Sequence, residues 1–427
     1  MIIVLEPQCI GSAHDIVNAS LIYSISIANK NEKISFFADL SHISCIKKIL
    51  SDTNIDIQNI DYFPVIIPQK NLLRLSKIVT YYMLINRLLW YANEKKINKI
   101  IFLSVYSYNL LILKYLLKQV HYNHFQIKII VHGVLEEIKN PNSSFILNRI
   151  KQFGYALDQK DNDNIQYIVL SPSILNTISD ISKPPFDKFT AIDLPYIYDN
   201  TEPKTKTDNR IVFATIGQGN PYLMKCVAKA LQMQTNQTVE YEFRIIGENC
   251  GNTNIINLKY KKLISCFISI IDRKTINWFL TSFLPISSKV STYLSDKIHI
   301  TSINCVSKGK RLSRNEIERY VRDVDYLIFF YNRDSYKYTA SGSFFDAISY
   351  RIPIIFIGNT FFDYYFSSYK IGYRVETLYE IIELVKMISI NGINYADYQH
   401  QLMEIEKFRH EININRENKI LSFTPFK

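Results

Sequence analysis

The sequence predicts an α/β protein of two doubly wound domains, each built on a parallel sheet. Three observations predict it. Short β-branched and aromatic runs alternate with helix-length segments, the pattern of a parallel sheet covered on both faces. A polar, aperiodic, proline-containing stretch at 198–209 interrupts that alternation once, and the alternation then restarts. The chain has 427 residues and is 47% apolar, which suffices for two cores and excludes global disorder.

Taken in order, strands are expected at 2–5, 34–38, 99–103, 128–131 and 166–170, each a short apolar run bounded by polar residues. Helical patterns lie between them at 15–29, 44–50, 72–93, 108–120 and 145–155. Ser171-Pro172 opens another, with proline in the first turn. After the polar stretch come strands at 210–216, 242–246, 299–305, 326–330 and 353–357. Helices are expected at 222–233, 314–324, 343–349 and 378–388, and Ser313 with Glu316 forms a capping box. The charged tail from 394 reads as helical and long enough to cross back over the first domain. The expected boundaries are 1–195, 210–393 and 394–427. Ligands of such sheets bind at the carboxyl ends of the strands, so two facing domains place that edge in a cleft.

Fifty basic residues against 39 acidic give a net charge of +11. Residues 201–427 hold 30 basic and 22 acidic residues, against 20 and 17 in 1–200, so the second half carries most of the excess. That favours an anionic partner there, a phosphate compound or a membrane surface. The charge is not massed in a tail, and nucleic acid is not expected as a partner. The six cysteines are scattered and form no CxxC pair, and the first apolar run lacks a basic leader and ends at Glu6-Pro7. A cytoplasmic protein with reduced thiols and no transmembrane helix is expected.

The richest stretch runs from Ser335 to Ile355. A strand ends, a hydroxyl-rich loop with one glycine follows, and a helix begins near Ser343. Ser341-Gly342-Ser343 at a helix start offers unpaired backbone N–H groups and hydroxyls, which suits a diphosphate. Asp346, one turn inside, suits a ribose diol. A serine-capped helix with an acid near its positive end accounts for the same residues. Gly217-Gln218-Gly219 follows a strand, with Lys225 on the next helix, and suits close approach of backbone to a ligand. An ordinary turn with a solvated lysine is the other reading.

These residues resemble the donor-binding half of GT-B glycosyltransferases, especially glycosyltransferase family 4. Asp346-Ala347 stands where that family has the second of two glutamates followed by alanine, and Arg351-Ile352-Pro353-Ile354-Ile355 resembles its helix exit and next strand. Residues 312–317 and 323–327 are similar to the elements that precede its site. The sequence departs from the pattern twice: Tyr338 stands in place of the first glutamate, and Gln218 in place of a phosphate-binding arginine. The resemblance implies two Rossmann-like domains of GT-B type and transfer of a sugar from a nucleotide-diphosphate sugar to a glycan or lipid-linked acceptor. It implies donor contacts from Gly217, Gln218, Lys225, Tyr338, Ser341, Gly342, Ser343 and Asp346, with Lys310 supplying the missing charge. It implies no cofactor and no metal, the helix and hydroxyls taking the charge of the leaving diphosphate. The low-glycine, Lys-, Ile- and Asn-rich composition suggests an AT-rich bacterial genome, and the resemblance then implies a cell-surface polysaccharide setting, lipopolysaccharide or capsule. A sugar-nucleotide 2-epimerase of the same fold and a non-catalytic glycan binder remain the rival readings.

In the first half, His132-Gly133 ends a strand, with Glu136 following. Many GT-B enzymes place a His or carboxylate here against the reacting sugar, which implies catalytic roles for His132 and Glu136, the latter as general base. The turn Gly11-Ser12-Ala13-His14-Asp15 is expected on the acceptor side, through Gly11, His14 and Asp15; Asp15 as a helix cap is the plainer alternative. His121 and His124 have metal-ligand spacing without a third ligand, and 161–163 and 323–325 carry Asp-x-Asp letters outside a suitable context. Residues 259–271 join a lysine cluster to an apolar run, and 78–92 is a second apolar run broken by Asn86 and Arg87. Either suits a peripheral position on an anionic inner membrane face or a buried helix.

Overall fold

A computed structural model describes residues 1–68, 74–135, 153–158, 164–178, 186–198, 210–217, 221–232, 240–247, 303–306, 312–414 and 419–423. The chain divides into two compact units. One comprises Met1–Asn200, Tyr336–Gly342 and His410–Lys427, the other Thr201–Ser335 and Ser343–Arg409.

The first unit carries β1 (Ile2–Leu5), β2 (Ile34–Ala38), β3 (Ile60–Pro64), β4 (Lys99–Phe102), β5 (Gln126–Val131), β6 (Ile165–Val169) and β7 (Phe189–Ala191). All pair in parallel, in the order β3-β2-β1-β4-β5-β6-β7. Strand order reverses between β1 and β4, so the carboxyl ends of those two strands open a crevice for a ligand. Its described helices are α1 (Asp15–Ala28), α2 (Leu40–Asp52), α3 (Arg74–Glu94), α4 (Ser107–Leu117), α5 (Phe153–Asp158) and α6 (Pro172–Ile178).

The second unit repeats the plan. Strands β8 (Ile211–Ile216), β9 (Tyr241–Ile246), β10 (Ile303–Cys305), β11 (Tyr326–Phe329), β12 (Ile354–Ile357) and β13 (Gly372–Val375) lie in the order β10-β9-β8-β11-β12-β13, all parallel. The reversal falls between β8 and β11. Helices α7 (Pro221–Gln232), α8 (Arg314–Val321), α9 (Gly342–Ser349), α10 (Thr360–Ser368), α11 (Leu378–Asn391) and α12 (Tyr395–Glu411) accompany it. Phe213, Phe243, Tyr326 and Ile328 of the sheet pack with Met224 and Val227 of α7 and Ile381 and Val385 of α11 in one core.

Several local expectations change. Strands β3, β7 and β13 and helix α10 were not expected from the sequence pattern. Helix α2 starts at Leu40 instead of 44, because the Asp39 carboxylate accepts the Ser41 and His42 N–H groups and caps it there. Helix α4 stops at Leu117, and a separate 3₁₀ turn covers Val120–Tyr122. Helix α8 has its capping box, Ser313 with Glu316, but ends at Val321 instead of 324. The two Asp-x-Asp stretches divide: 161–163 lies outside the described residues, while Asp323 pairs with Arg210 and Arg244 and Asp325 accepts the Val212 N–H at 2.8 Å. The second stretch is therefore structural.

The chain end belongs to the first unit. The Lys128 ammonium on β5 donates to the carbonyls of Ile420 and Ser422, each at 2.6 Å, and lies over the Phe423 ring. Asn29 at the end of α1 donates to the Leu421 carbonyl at 3.1 Å.

Candidate functional site

Of the predicted donor residues, Gly217, Lys225, Ser343 and Asp346 lie in the second unit, at the end of β8 and in α7 and α9, while Tyr338, Ser341 and Gly342 fall in the first. Strand β8 is buried throughout and ends at Gly217, whose φ of +73° lies in the left-handed region that suits glycine. A side chain there would also collide with the hydroxyl of Ser343, in the first turn of α9. Gly247, at the end of β9, is packed against the Gly217 carbonyl so closely that no β-carbon fits. Two bare strand ends and a helix N-terminus thus converge. That combination lets a ligand approach the backbone beside the positive end of the helix. Gly247 was not singled out in the sequence; a glycine ending the strand next to Gly217 was the available signal.

Helix α9 is held at its far end by cations. Arg409 of α12 is buried and donates to the Ser349 carbonyl at 2.5 Å and to Ile348 at 3.3 Å, while Arg351 pairs with Glu406. Phe344 and Phe345 are fully buried among Phe361, Tyr365 and Phe408, which fixes the helix laterally. Its first turn is therefore positioned by both packing and carboxyl-end capping. Asp346 is half-buried, one turn in. Ser341 and Tyr338 are buried, at 0% and 4% exposure, and Gly342 between Ser341 and Ser343 is exposed. Lys225, half-buried one turn into α7, forms no ion pair with a described residue. Gln218 and Lys310 lie outside the described residues.

The first unit presents a second cluster at its own reversal. Glu6, directly after β1, is wholly buried. One carboxylate oxygen accepts the N–H groups of Gln8 (2.8 Å) and Cys9 (3.1 Å) and the hydroxyl of Ser104 beyond β4; the other accepts from Asn18 of α1 at 3.1 Å. The Asn18 amide also meets Nε2 of buried His42 at 2.9 Å, and His42 Nδ1 lies 2.7 Å from the Gly11 carbonyl. A carbonyl can only accept, so Nδ1 carries the proton and Nε2 accepts the second Asn18 hydrogen. The Gly11 N–H donates to Ser41, which itself donates to Asp39. Burial first, then the Glu6 charge, push the Cys9 thiol far up, so it is inert as a nucleophile. In the sequence alone Glu6 stands only as the end of an apolar run. An acid directly behind a buried strand was the signal available for it.

This network pins the loop that leaves β1. Gly11 and His14 both adopt left-handed backbone, with φ of 58° and 53°. His14 is exposed at the N-cap of α1 without capping it, and Asp15 opens the helix with its carboxylate on the Ile16 N–H. The His14 ring meets the His132 ring edge-on, centroids 4.6 Å apart. The loop thus joins the end of β1 to the end of β5. Nδ1 of His132 is enclosed without a hydrogen-bond partner. Burial, with a smaller contribution from His14, pulls the His132 imidazole down to about 3, so it is neutral at ordinary pH. Glu136 lies outside the described residues. Beside the loop, an open groove of about 390 Å³ is lined by Ile10, Asp39, Leu40 and residues 64–67. Among the described residues no three His, Cys, Asp or Glu side chains are grouped to hold a metal ion.

No protein-family model matches the chain, and no curated protein matches it in sequence. Solved structures do. The chain is similar to HepE of Anabaena in complex with UDP and glucose, at 10% identity over 99% of this chain and 98% of that one, TM-score 0.56. It is similar to a sucrose-phosphate synthase from Thermosynechococcus elongatus, at 12% identity over 96% and 94% of the two chains, TM-score 0.54. It is also similar to the apo lipopolysaccharide outer core galactosyltransferase WaaB, at 12% identity over 98% of each chain, TM-score 0.51. Together with the two sheet orders, these likenesses establish that the chain has the GT-B fold.

Proposed function

We propose that the protein is a glycosyltransferase that moves a sugar from a nucleotide-diphosphate sugar to a glycan or lipid-linked acceptor, in bacterial surface polysaccharide assembly. The convergence of Gly217, Gly247 and the first turn of α9 at the β8/β11 reversal carries this reading. A diphosphate there would meet backbone N–H groups and the Ser343 hydroxyl, with Asp346 on the ribose and Lys225 as a nearby positive charge. Negative charge building on the leaving diphosphate is then stabilised by fixed dipoles, and no metal ion is required. The HepE likeness supports the donor class, since that protein is described with UDP and glucose. The first unit takes the acceptor: the Gly11 loop, His14 and the apolar groove beside them form its surface. His132, neutral, offers Nε2, the ring nitrogen that is not enclosed, as a hydrogen-bonding partner for sugar oxygens, and Glu136 is the general base.

The test is incubation with a panel of nucleotide sugars, with and without a lipid-linked acceptor, with EDTA in parallel. Donor consumption that needs acceptor and survives EDTA is expected. Conversion of the donor sugar without acceptor would make the protein an isomerase, and no nucleotide binding at all would remove the reading.

A further inference from the structure

Helix α3 is apolar on both its inner and its outer face for part of its length. Ile85, Leu88, Leu89 and Ala92 are buried against the first unit, as an amphipathic helix requires. The opposite face should be polar, yet Val79, Met83 and Trp90 stand on it at 53, 53 and 59% exposure, with Tyr82 at its flank. Spacings of four and seven residues place Val79, Met83 and Trp90 in one stripe along the helix. Helix α3 packs beside α4 and the turn after it, where Val120 adds another exposed apolar side chain at 79%. Scattered exposed hydrophobics are ordinary in any protein; a continuous row on one helix marks a surface that meets something.

The charges around the stripe say what that is. Arg87 lies on the same side of the helix, and Lys95 and Lys96 follow its last turn, all three exposed. None forms an ion pair with a described residue, and Glu94 is the one exposed acid beside them. An apolar row with an amphipathic Trp, edged by cations that outnumber the neighbouring acid, matches the boundary between headgroups and acyl chains of an anionic bilayer. No described helix is long and apolar enough to cross a membrane, so contact would be in the interfacial plane. We infer that the outer face of α3, through Val79, Met83 and Trp90 with Arg87, Lys95 and Lys96, docks the protein on an anionic lipid surface. This rests on the helix alone and stands or falls independently of the glycosyltransferase reading.

The test uses the full chain and vesicles of phosphatidylcholine, with and without an equal part of phosphatidylglycerol. Cosedimentation is expected only with phosphatidylglycerol and should weaken as salt rises. Reversal of Arg87, Lys95 and Lys96 to Glu should lower affinity at least tenfold, given roughly fivefold per basic residue at such a surface. The double variant Met83→Glu, Trp90→Glu should abolish binding, with thermal unfolding unchanged because both side chains are exposed. A vesicle-induced blue shift of tryptophan emission should vanish in Trp90→Phe. No binding at low salt, or full binding by the double variant, would overturn the inference. So would self-association lost in the double variant without any lipid binding, which would make the face a protein interface.

Discussion

Gly217, at the carboxyl end of β8, lies so close to Ser343 of α9 that a β-carbon at 217 would collide with the Ser343 hydroxyl. Strand end and helix start are thereby locked at a separation only glycine allows. Gly217→Ala is expected to cost about 1–2 kcal/mol from the left-handed backbone alone, with the collision added. In a Ser343→Ala background the added part should shrink. Thermal unfolding of the four proteins of that cycle measures it, and strictly additive effects would mean the two residues do not touch.

Asp346 is expected to hold the donor ribose. Asp346→Ala should weaken nucleotide binding by about 2 kcal/mol, roughly thirtyfold, as for hydrogen bonds to a charged group. Calorimetry with a nucleoside diphosphate measures it. Unchanged affinity in a folded variant would take Asp346 out of the site.

His132 should behave as a neutral ring. Its folded-state value, about 3, lies below the ordinary 6.5. It therefore contributes stability that is complete above pH 6.5 and drains away as pH falls towards 3, because the unfolded chain binds the proton first. His132→Phe should flatten the acid limb of the melting-temperature profile in that window. An imidazole NMR signal of His132 titrating near 6.5 would contradict this.

Glu6 should matter for the loop that leaves β1. Glu6→Gln puts an NH₂ group among donors from Gln8, Cys9, Ser104 and Asn18. A loss of about 2–3 kcal/mol is expected from the unpaired buried groups. Hydrogen exchange at the Gly11 amide should quicken as the loop loosens. Denaturant titration showing wild-type stability would mean the network does not hold the loop.

The α/β class was legible in the sequence because strands buried on both faces must be apolar throughout. Ile2–Leu5, Ile211–Ile216 and Ile354–Ile357 need no tertiary knowledge to be read. The strands the pattern missed, β3, β7 and β13, are all sheet edges. An edge is half-exposed, so Asp61 in β3 and Arg374 in β13 break the apolar run that would reveal it. The candidate donor residues Ser341, Gly342, Ser343 and Asp346 form a local pattern, because they sit within six positions around one helix start. What only the tertiary structure decided is the pairing of distant positions. Gly217 meets Gly247 because β8 and β9 are neighbours in the sheet, and meets Ser343 because strand order reverses between β8 and β11. Glu6, Asn18, His42 and Ser104 share one set of hydrogen bonds although they come from four separate elements, and no local pattern announces that. The exposed stripe of α3 is the same kind of fact. Its apolar residues read equally as core until the sheet claims one face and leaves the other to solvent.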